Sequence, residues 1–207
     1  AARGATIEAG GPDFHFRLNK KSEIWASNAA ELYKQALAAQ WNPEIAIEWS
    51  SPMRHSQDLE VAVVQVMTYM IENENAALLI PAKFLSQLHP HYREVQALLA
   101  IQIADEARHI EVFTRRIQLY GSEPALSTVG GQLSLKTLLD EHDFSVAEFL
   151  LSVLGEGTFV DLLQFLTQYA PDPVTKQICL LAGRDESRHV SFGISHLKEN
   201  LEKNPES

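Results

Sequence analysis

The chain has 207 residues, of which 45% are hydrophobic and 21% charged, as in an ordinary globular domain with one well-buried core. A formal net charge of −10 and the lack of a basic stripe argue against a nucleic-acid partner. We expect no membrane anchor, because no apolar run looks long enough to span a bilayer, and the single cysteine, Cys179, excludes an internal disulfide and favours a cytoplasmic location.

The start of the chain predicts an arm followed by a helical domain. Residues 1–21 hold glycines and a proline among mixed charges, and they predict an irregular N-terminal arm. Residues 22–207 predict one single domain. Its first helix is expected over 22–40, with Ser22 as the N-cap.

Two long helices are expected in the middle of the chain. The stretch 41–52 is predicted to be a connector, and a helical pattern follows over 56–88, with a stop or kink expected at Pro81. The next helix is predicted over 91–120. It should end at Gly121, because glycine is the usual residue just past a helix C-terminus.

The second half of the chain predicts two more long helices. After a predicted loop at 122–133, residues 134–169 form a helical pattern with a break near Asp143. The last helix is expected over 173–203, with Asp172 as its N-cap. Four long helices with short connections predict an all-α four-helix bundle with an additional N-terminal helix.

An internal repeat carries the candidate chemistry. The pattern Asp-Glu-x-Arg-His occurs twice, and it places Glu106 and His109, and likewise Glu186 and His189, on one face of a helix. One Glu-x-x-His pair arises easily by chance, but the repeat in matched helical contexts does not. Two such pairs, together with one glutamate from each of two other helices, make a di-iron or di-manganese carboxylate site.

The two remaining helices offer the other glutamates. Glu156 stands alone among apolar residues on the third helix of the bundle. On the first helix, an inward Glu74 shares its face with apolar residues, whereas an inward Glu72 brings polar residues onto that face. Amphipathicity therefore favours Glu74 and leaves Glu72 as the alternative.

The repeat also supplies partners for the two histidines. Asp105 and Asp185 precede His109 and His189 by one helical turn. A metal-bound histidine normally donates its other N–H to a carboxylate, so each aspartate is expected to accept from its own or the facing histidine. The arginine of each repeat is expected to pair with these aspartates.

At these motifs the chain resembles the ferritin-like superfamily, and in particular its branch of ribonucleotide reductase small subunits and bacterial multicomponent monooxygenases. ADEARH (104–109) and RDESRH (184–189) look like the paired motifs of that branch, GEGTF (155–159) looks like its Gly-Glu-x-x-Phe, and ENENAAL (72–78) is similar to its first-glutamate segment. The resemblance covers about residues 56–200. It implies a ferritin-like four-helix bundle and iron ligation by six residues: Glu74, Glu106, His109, Glu156, Glu186 and His189.

The resemblance implies a non-haem di-iron oxidoreductase that activates dioxygen to hydroxylate or otherwise oxygenate a small organic substrate. Phe113 stands where the reductase subunits carry their radical tyrosine, which argues against a tyrosyl-radical role. The same site could instead serve a ferroxidase, a peroxidase, a dimanganese catalase or a non-enzymatic metal-binding bundle, with Mn/Fe or Mn/Mn as alternative metal pairs. The expected partners are dioxygen, the substrate, an electron-donor protein and a second copy in a homodimer.

Overall fold

A computed structural model of the chain describes residues 6–12 and 14–203, and the regular secondary structure in that part is helical. The strand-like pairing among the described residues is limited to an isolated parallel bridge between Leu18 and Leu88. The predicted all-α class is therefore confirmed. Two long helical hairpins form a bundle, and an N-terminal helix packs against it.

The N-terminal helix begins later than its sequence pattern suggests. Helix α1 covers Ala29–Ala38, and the short helix α2 at Pro43–Ala46 lies within the predicted connector. The prediction of a helix from Ser22 is wrong in its first turns. Ile24 and Ala26 are both fully buried against the bundle. This tertiary packing outweighs the local preference of the segment for a helix.

The first hairpin consists of α3 (Gln57–Leu85) and α4 (Arg93–Leu119). The Ser56 hydroxyl caps α3 by accepting a hydrogen bond from the Leu59 N–H at 3.3 Å. Gly121 follows α4 with a φ of +81°, so a residue with a side chain would be strained at this stop, as the sequence predicts.

The sequence predicts either a stop or a kink at Pro81, and helix α3 does not stop there. The helix continues to Leu85, one turn further. Ile80, Pro81 and Phe84 are all buried against the rest of the bundle. Their burial offsets the backbone hydrogen bond that proline cannot make.

Helix α5 (Val129–Asp140) begins inside the stretch predicted to be a loop. The Thr128 hydroxyl accepts a hydrogen bond from the Gly131 N–H at 3.0 Å and so caps the helix. This cap outweighs the low helix propensity of the two glycines in the first turn. α5 contributes no buried residue and lies on the outer side of α3.

The second hairpin is built from α6 (Phe144–Glu148), a π-helical segment at 149–155, α7 (Glu156–Tyr169) and α8 (Pro173–Lys203). The break near Asp143 is present, and Asp143 caps α6. Asp172 caps α8, as predicted, because its Oδ1 accepts a hydrogen bond from the Thr175 N–H at 2.8 Å.

The described part of the N-terminal arm contacts the end of α3. Leu18 is buried, its N–H donates to the Gln87 carbonyl at 3.0 Å, and its carbonyl accepts from the His89 N–H at 2.9 Å. The division into an arm at 1–21 and one domain at 22–207 stays a prediction. Residues 1–5, 13 and 204–207 lie outside the described part.

The bundle core has two apolar clusters with a polar layer between them. One cluster, near the N-terminal helix, includes Phe84, Leu98 and Phe192. The other, at the opposite end, includes Met67 and Phe113. A polar layer in the middle of a bundle must be satisfied by hydrogen bonds or by bound ions.

Within residues 6–12 and 14–203, one helical stretch reaches the length and hydropathy of a membrane span, contrary to the expectation from the sequence. The mean hydropathy of Phe144–Tyr169 reaches 1.5 over its most apolar window, of which 28% is buried. A single such stretch is a weak indication, because helices of soluble bundles pass the same test. This one carries Glu148 and Glu156, and both glutamates face the interior of the bundle.

A buried ion network ties the two hairpins together at the α2 end of the bundle. The Arg116 guanidinium donates to both carboxylate oxygens of Glu60 at 2.8 and 2.9 Å and to Asp172 Oδ2 at 2.8 Å. It also donates to the Thr175 hydroxyl at 2.8 Å. The network therefore joins α3, α4 and the start of α8.

Arg116→Met is expected to lower the free energy of unfolding by about 3–5 kcal/mol, because it leaves two carboxylates buried without a cation. Urea unfolding followed by circular dichroism measures the change. Arg115→Met is the matched control: Arg115 pairs with the exposed Glu44 at the surface, and such pairs are worth about 0–1 kcal/mol. Equal losses in the two variants would contradict the structural role given to Arg116.

Candidate metal centre

Six acidic and imidazole side chains meet in the polar layer, and each of the four long helices of the bundle supplies one or two of them. None of them is more than 4% exposed. α3 supplies one glutamate, α4 a glutamate and a histidine, α7 a glutamate, and α8 a glutamate and a histidine. They are the residues singled out by the sequence: Glu74, Glu106, His109, Glu156, Glu186 and His189.

The six side chains form two overlapping groups of four. Ligand atoms of Glu74, Glu106, His109 and Glu186 all lie within 4.8 Å of one another, and the same holds for Glu106, Glu156, Glu186 and His189. Glu106 and Glu186 belong to both groups. The arrangement can therefore hold two metal ions, with two shared carboxylates and one separate carboxylate and one imidazole for each ion.

Both imidazoles turn the Nδ1 atom toward the carboxylates. His109 Nδ1 lies 3.2 Å from Glu106 Oε2, 3.2 Å from Glu186 Oε1 and 3.4 Å from Glu74 Oε2. His189 Nδ1 lies 2.9 Å from Glu106 Oε1. Acceptor atoms that face one another in this way repel each other, and a cation bound between them would relieve the repulsion.

The alternative first-helix residue, Glu72, lies outside this cluster. Its carboxylate accepts hydrogen bonds from the Ser127 hydroxyl at 2.9 Å and from the Gln132 amide at 2.5 Å, on the outer side of α3. Glu74 is the α3 glutamate that faces the bundle interior. The structure thus places Glu74 and not Glu72 beside the two repeats.

Several buried carboxylate oxygens of the cluster lack a hydrogen-bond partner. They include Glu74 Oε1, Glu106 Oε1, Glu156 Oε2 and both oxygens of Glu186. Leaving so many buried acceptors unpaired would be costly, and two divalent cations would satisfy them and balance four carboxylate charges. The donor set therefore fits a di-metal cofactor.

The pKa values of the cluster are shifted, because several buried carboxyl and imidazole groups lie close together. Burial, and then the neighbouring charges of Glu186 and Glu106, raise the pKa of Glu74 well above its usual value. Burial and the charge of Glu186 likewise raise the pKa of Glu156. Burial alone would lower the pKa of His109, but the Glu74 carboxylate and hydrogen bonds to nearby carboxylates raise it well above the usual range.

Each histidine turns its Nε2 atom toward the aspartate of the other repeat. His109 Nε2 lies 3.2 Å from Asp185 Oδ2, and His189 Nε2 lies 3.5 Å from Asp105 Oδ2. The Arg108 guanidinium donates to Asp105 at 2.6 Å and to Asp185 at 2.8 Å. This crossed pairing leaves Nδ1 of each imidazole free to bind a metal.

Two residues after α1 complete this side of the centre and were not found from the sequence. The Gln40 amide donates to Asp105 Oδ1 at 2.7 Å, and the Trp41 indole N–H donates to Asp185 Oδ2 at 2.8 Å. The Trp41 ring also stacks near His109, with ring centroids 6.4 Å apart. No local pattern marks these residues, because their role depends on where the N-terminal helix docks.

Two further buried polar residues lie on the opposite side of the centre. The Gln102 amide lies 3.4 Å from Glu156 Oε1. Gln102 could have been found from the sequence, because it lies one turn before Glu106 on the same helix face. Glu148 is buried just before the π-helical segment, and a charged residue inside a helical stretch apolar enough to span a membrane was the available signal.

Comparison with known proteins agrees with the fold. No protein-family model matches the chain, and no curated protein matches it in sequence. Among solved structures, the chain is similar to an R2-like ligand-binding oxidase with an aerobically reconstituted Mn/Fe cofactor. The TM-score is 0.67 at 19% sequence identity, over 86% of this chain and 70% of that chain. The ferritin-like fold that the motifs predict is therefore the fold of this protein.

Proposed function

We propose that the protein is a non-haem di-metal oxidoreductase that activates dioxygen, with two iron ions as its cofactor and Mn/Fe or Mn/Mn as the alternative pairs. The observation that carries this proposal is the pair of overlapping four-residue groups that share Glu106 and Glu186. The similar solved structure is an oxidase with a Mn/Fe cofactor, which supports the same class of chemistry.

The chain's own residues have separate tasks in this proposal. When bound, the metal pair supplies electrons and open positions for dioxygen. Glu106 and Glu186 would serve as ligands to both ions, and Glu74 and Glu156 would each serve one. Carboxylates suit this task, because they can change between shared and separate binding as the metal charge changes.

The surroundings of the centre favour a small apolar substrate. Met67 and Met70 on α3 and Phe113 on α4 are fully buried in the apolar cluster next to the site, and the Phe113 ring lies 6.4 Å from the His109 ring. These side chains exclude water from one side of the centre. We propose hydroxylation or a related oxygenation of such a substrate, with electrons from a donor protein.

A ferroxidase, a peroxidase or a catalase would use the same metal ligands. A non-enzymatic bundle would not react with dioxygen or peroxide. Anaerobic titration of the metal-free protein with Fe(II), followed by stopped-flow absorbance after mixing with dioxygen, separates these functions. We expect about two tightly bound ions per chain and a reaction whose rate depends on added small aromatic or amine compounds.

Other outcomes of this experiment would contradict the proposal. Iron oxidation that continues well past two ions per chain would indicate a ferroxidase. Failure to bind metal would leave only a scaffold. The expected homodimer and the cytoplasmic location stay predictions, and size-exclusion chromatography with light scattering tests the former.

A further inference from the structure

A further buried carboxyl group, outside the six-residue cluster, lies beside the centre. Glu148 is the last residue of α6 and is 1% exposed. Its Oε2 accepts a hydrogen bond from the Ser152 hydroxyl at 3.1 Å, and its Oε1 has no hydrogen-bond partner. A buried carboxyl with a free oxygen is costly, so its presence calls for an explanation.

Glu148 belongs to a polar stripe within an otherwise apolar helix. Glu148, Ser152 and Glu156 follow one another at intervals of four residues, and all three are buried. The stripe spans the π-helical segment at 149–155. π-helical turns are rare and are frequently found at functional sites.

The stripe packs directly on α8 next to a histidine of the centre. A Cβ atom at Gly193 would lie 2.7 Å from the Ser152 Cβ, so glycine is needed for this close approach. Gly193 lies one turn after His189 on the same face of α8. Glu148 lies near enough to the centre for the charge of His189 to act on it and for its own charge to act on Glu156.

A second group of polar residues lies near the start of α6, one helical turn before Glu148. Ser145, three residues before Glu148, has its hydroxyl 2.9 Å from His196 Nε2 and accepts a hydrogen bond from the Asn200 amide at 2.9 Å. His196 Nδ1 donates to the Trp25 carbonyl at 3.0 Å, so its Nε2 accepts from Ser145. Ser145 and Asn200 line an open cavity of about 660 Å³ at this end of the bundle.

We propose that Glu148 carries protons between this cavity and the side of the centre formed by Glu156 and His189. The inference rests on the proposed function, because reduction of dioxygen consumes protons. In each transfer the O–H bond of Glu148 breaks, the proton moves toward the centre, and the carboxylate is reprotonated from the cavity side. Burial raises the pKa of Glu148 to about 7, which suits a group that takes up and releases protons.

The test compares wild type with Glu148→Gln, which keeps the shape and the hydrogen bond from Ser152 but cannot release a proton. We expect the variant to bind two Fe(II) ions and to consume dioxygen at least about tenfold more slowly, the lower end of what a proton-transferring group contributes. Glu148→Asp should restore part of the rate. Glu72→Gln, a change on the outer side of α3, is the control and should match wild type.

Infrared spectroscopy of the Mn(II)-loaded protein gives a readout that does not depend on turnover. The C=O band of a protonated carboxyl group should be present in wild type, should shift in D₂O as its proton exchanges, and should be lost in Glu148→Gln. If Glu148→Gln does not fold, Ser152→Ala, which removes the hydroxyl that holds Glu148, takes its place.

The outcomes separate this inference from the proposed function. An active wild type with an equally fast Glu148→Gln, or a Glu148 band that does not exchange in D₂O, would overturn the proton-carrying role and leave the proposed function standing. A wild type that binds two ions but does not react with dioxygen would overturn both.

Discussion

Replacing Glu106 with alanine is expected to abolish binding of two metal ions. Glu106 belongs to both four-residue groups, so its loss removes one ligand from each ion at once. Even the outer hydrogen-bond partners of metal ligands are worth about 10–100-fold in affinity, and a shared carboxylate should exceed the upper end of that range. Isothermal titration with Mn(II) or Fe(II) under anaerobic conditions, with metal analysis after gel filtration, measures the loss.

The control for this variant is Glu72→Ala. It also removes a carboxylate, but one that accepts hydrogen bonds from Ser127 and Gln132 on the outer side of α3. We expect its metal content to equal that of wild type. Full occupancy in Glu106→Ala would remove Glu106 from the ligand set, and loss of metal in Glu72→Ala would show that the sequence alternative was the better one.

The candidate centre could be predicted because its geometry is local. Glu106 and His109 are three residues apart, as are Glu186 and His189, and any helix places such pairs on one face. The choice of Glu74 over Glu72 followed from the apolar residues on one helix face. Periodicity alone therefore indicated which side chains face the interior.

The remaining parts depend on contacts between distant segments. Gln40 and Trp41 reach Asp105 and Asp185 only because α1 docks against the bundle, and no spacing along the chain records that docking. The late start of α1 has the same origin in the burial of Ile24. Tertiary packing also carries α3 past Pro81, although proline disfavours the helix interior.

Removing the metal is expected to destabilise the protein more at about pH 8 than at about pH 6. The raised pKa values of Glu74 and Glu156 mean that the folded metal-free protein holds protons that the unfolded chain, with pKa values near 4.5, has released. Stability from these two groups is thus present at low pH and is lost as the pH rises through the folded-state pKa values.

The histidines act in the same direction. Burial alone would lower the pKa of His189, but Glu106 and hydrogen bonds to carboxylates raise it, as they do for His109. Their contribution is present below the unfolded value of 6.5 and is lost at higher pH. The pKa of Glu106 is lowered, despite burial, by the charge of His189 and by hydrogen bonds. Its contribution is lost only as the pH falls below about 4.5, outside this range.

Metal binding reverses the dependence. Bound carboxylates and imidazoles are deprotonated, so binding releases protons and becomes stronger as the pH rises. Each proton released changes the free energy by about 1.4 kcal/mol per pH unit. With one or more protons released over these two pH units, the stabilisation by Mn(II) should be at least about 2.8 kcal/mol larger at pH 8 than at pH 6.

Urea unfolding with and without excess Mn(II), under anaerobic conditions at the two pH values, measures this difference. Glu106→Ala provides the reference, since a protein without the two-ion site should gain little from Mn(II) at either pH. The wild-type gain must grow with pH if the buried carboxylates and imidazoles give up protons to the metal. A gain that is equal at both values, or larger at pH 6, would mean that the six side chains are not the groups that bind the ions.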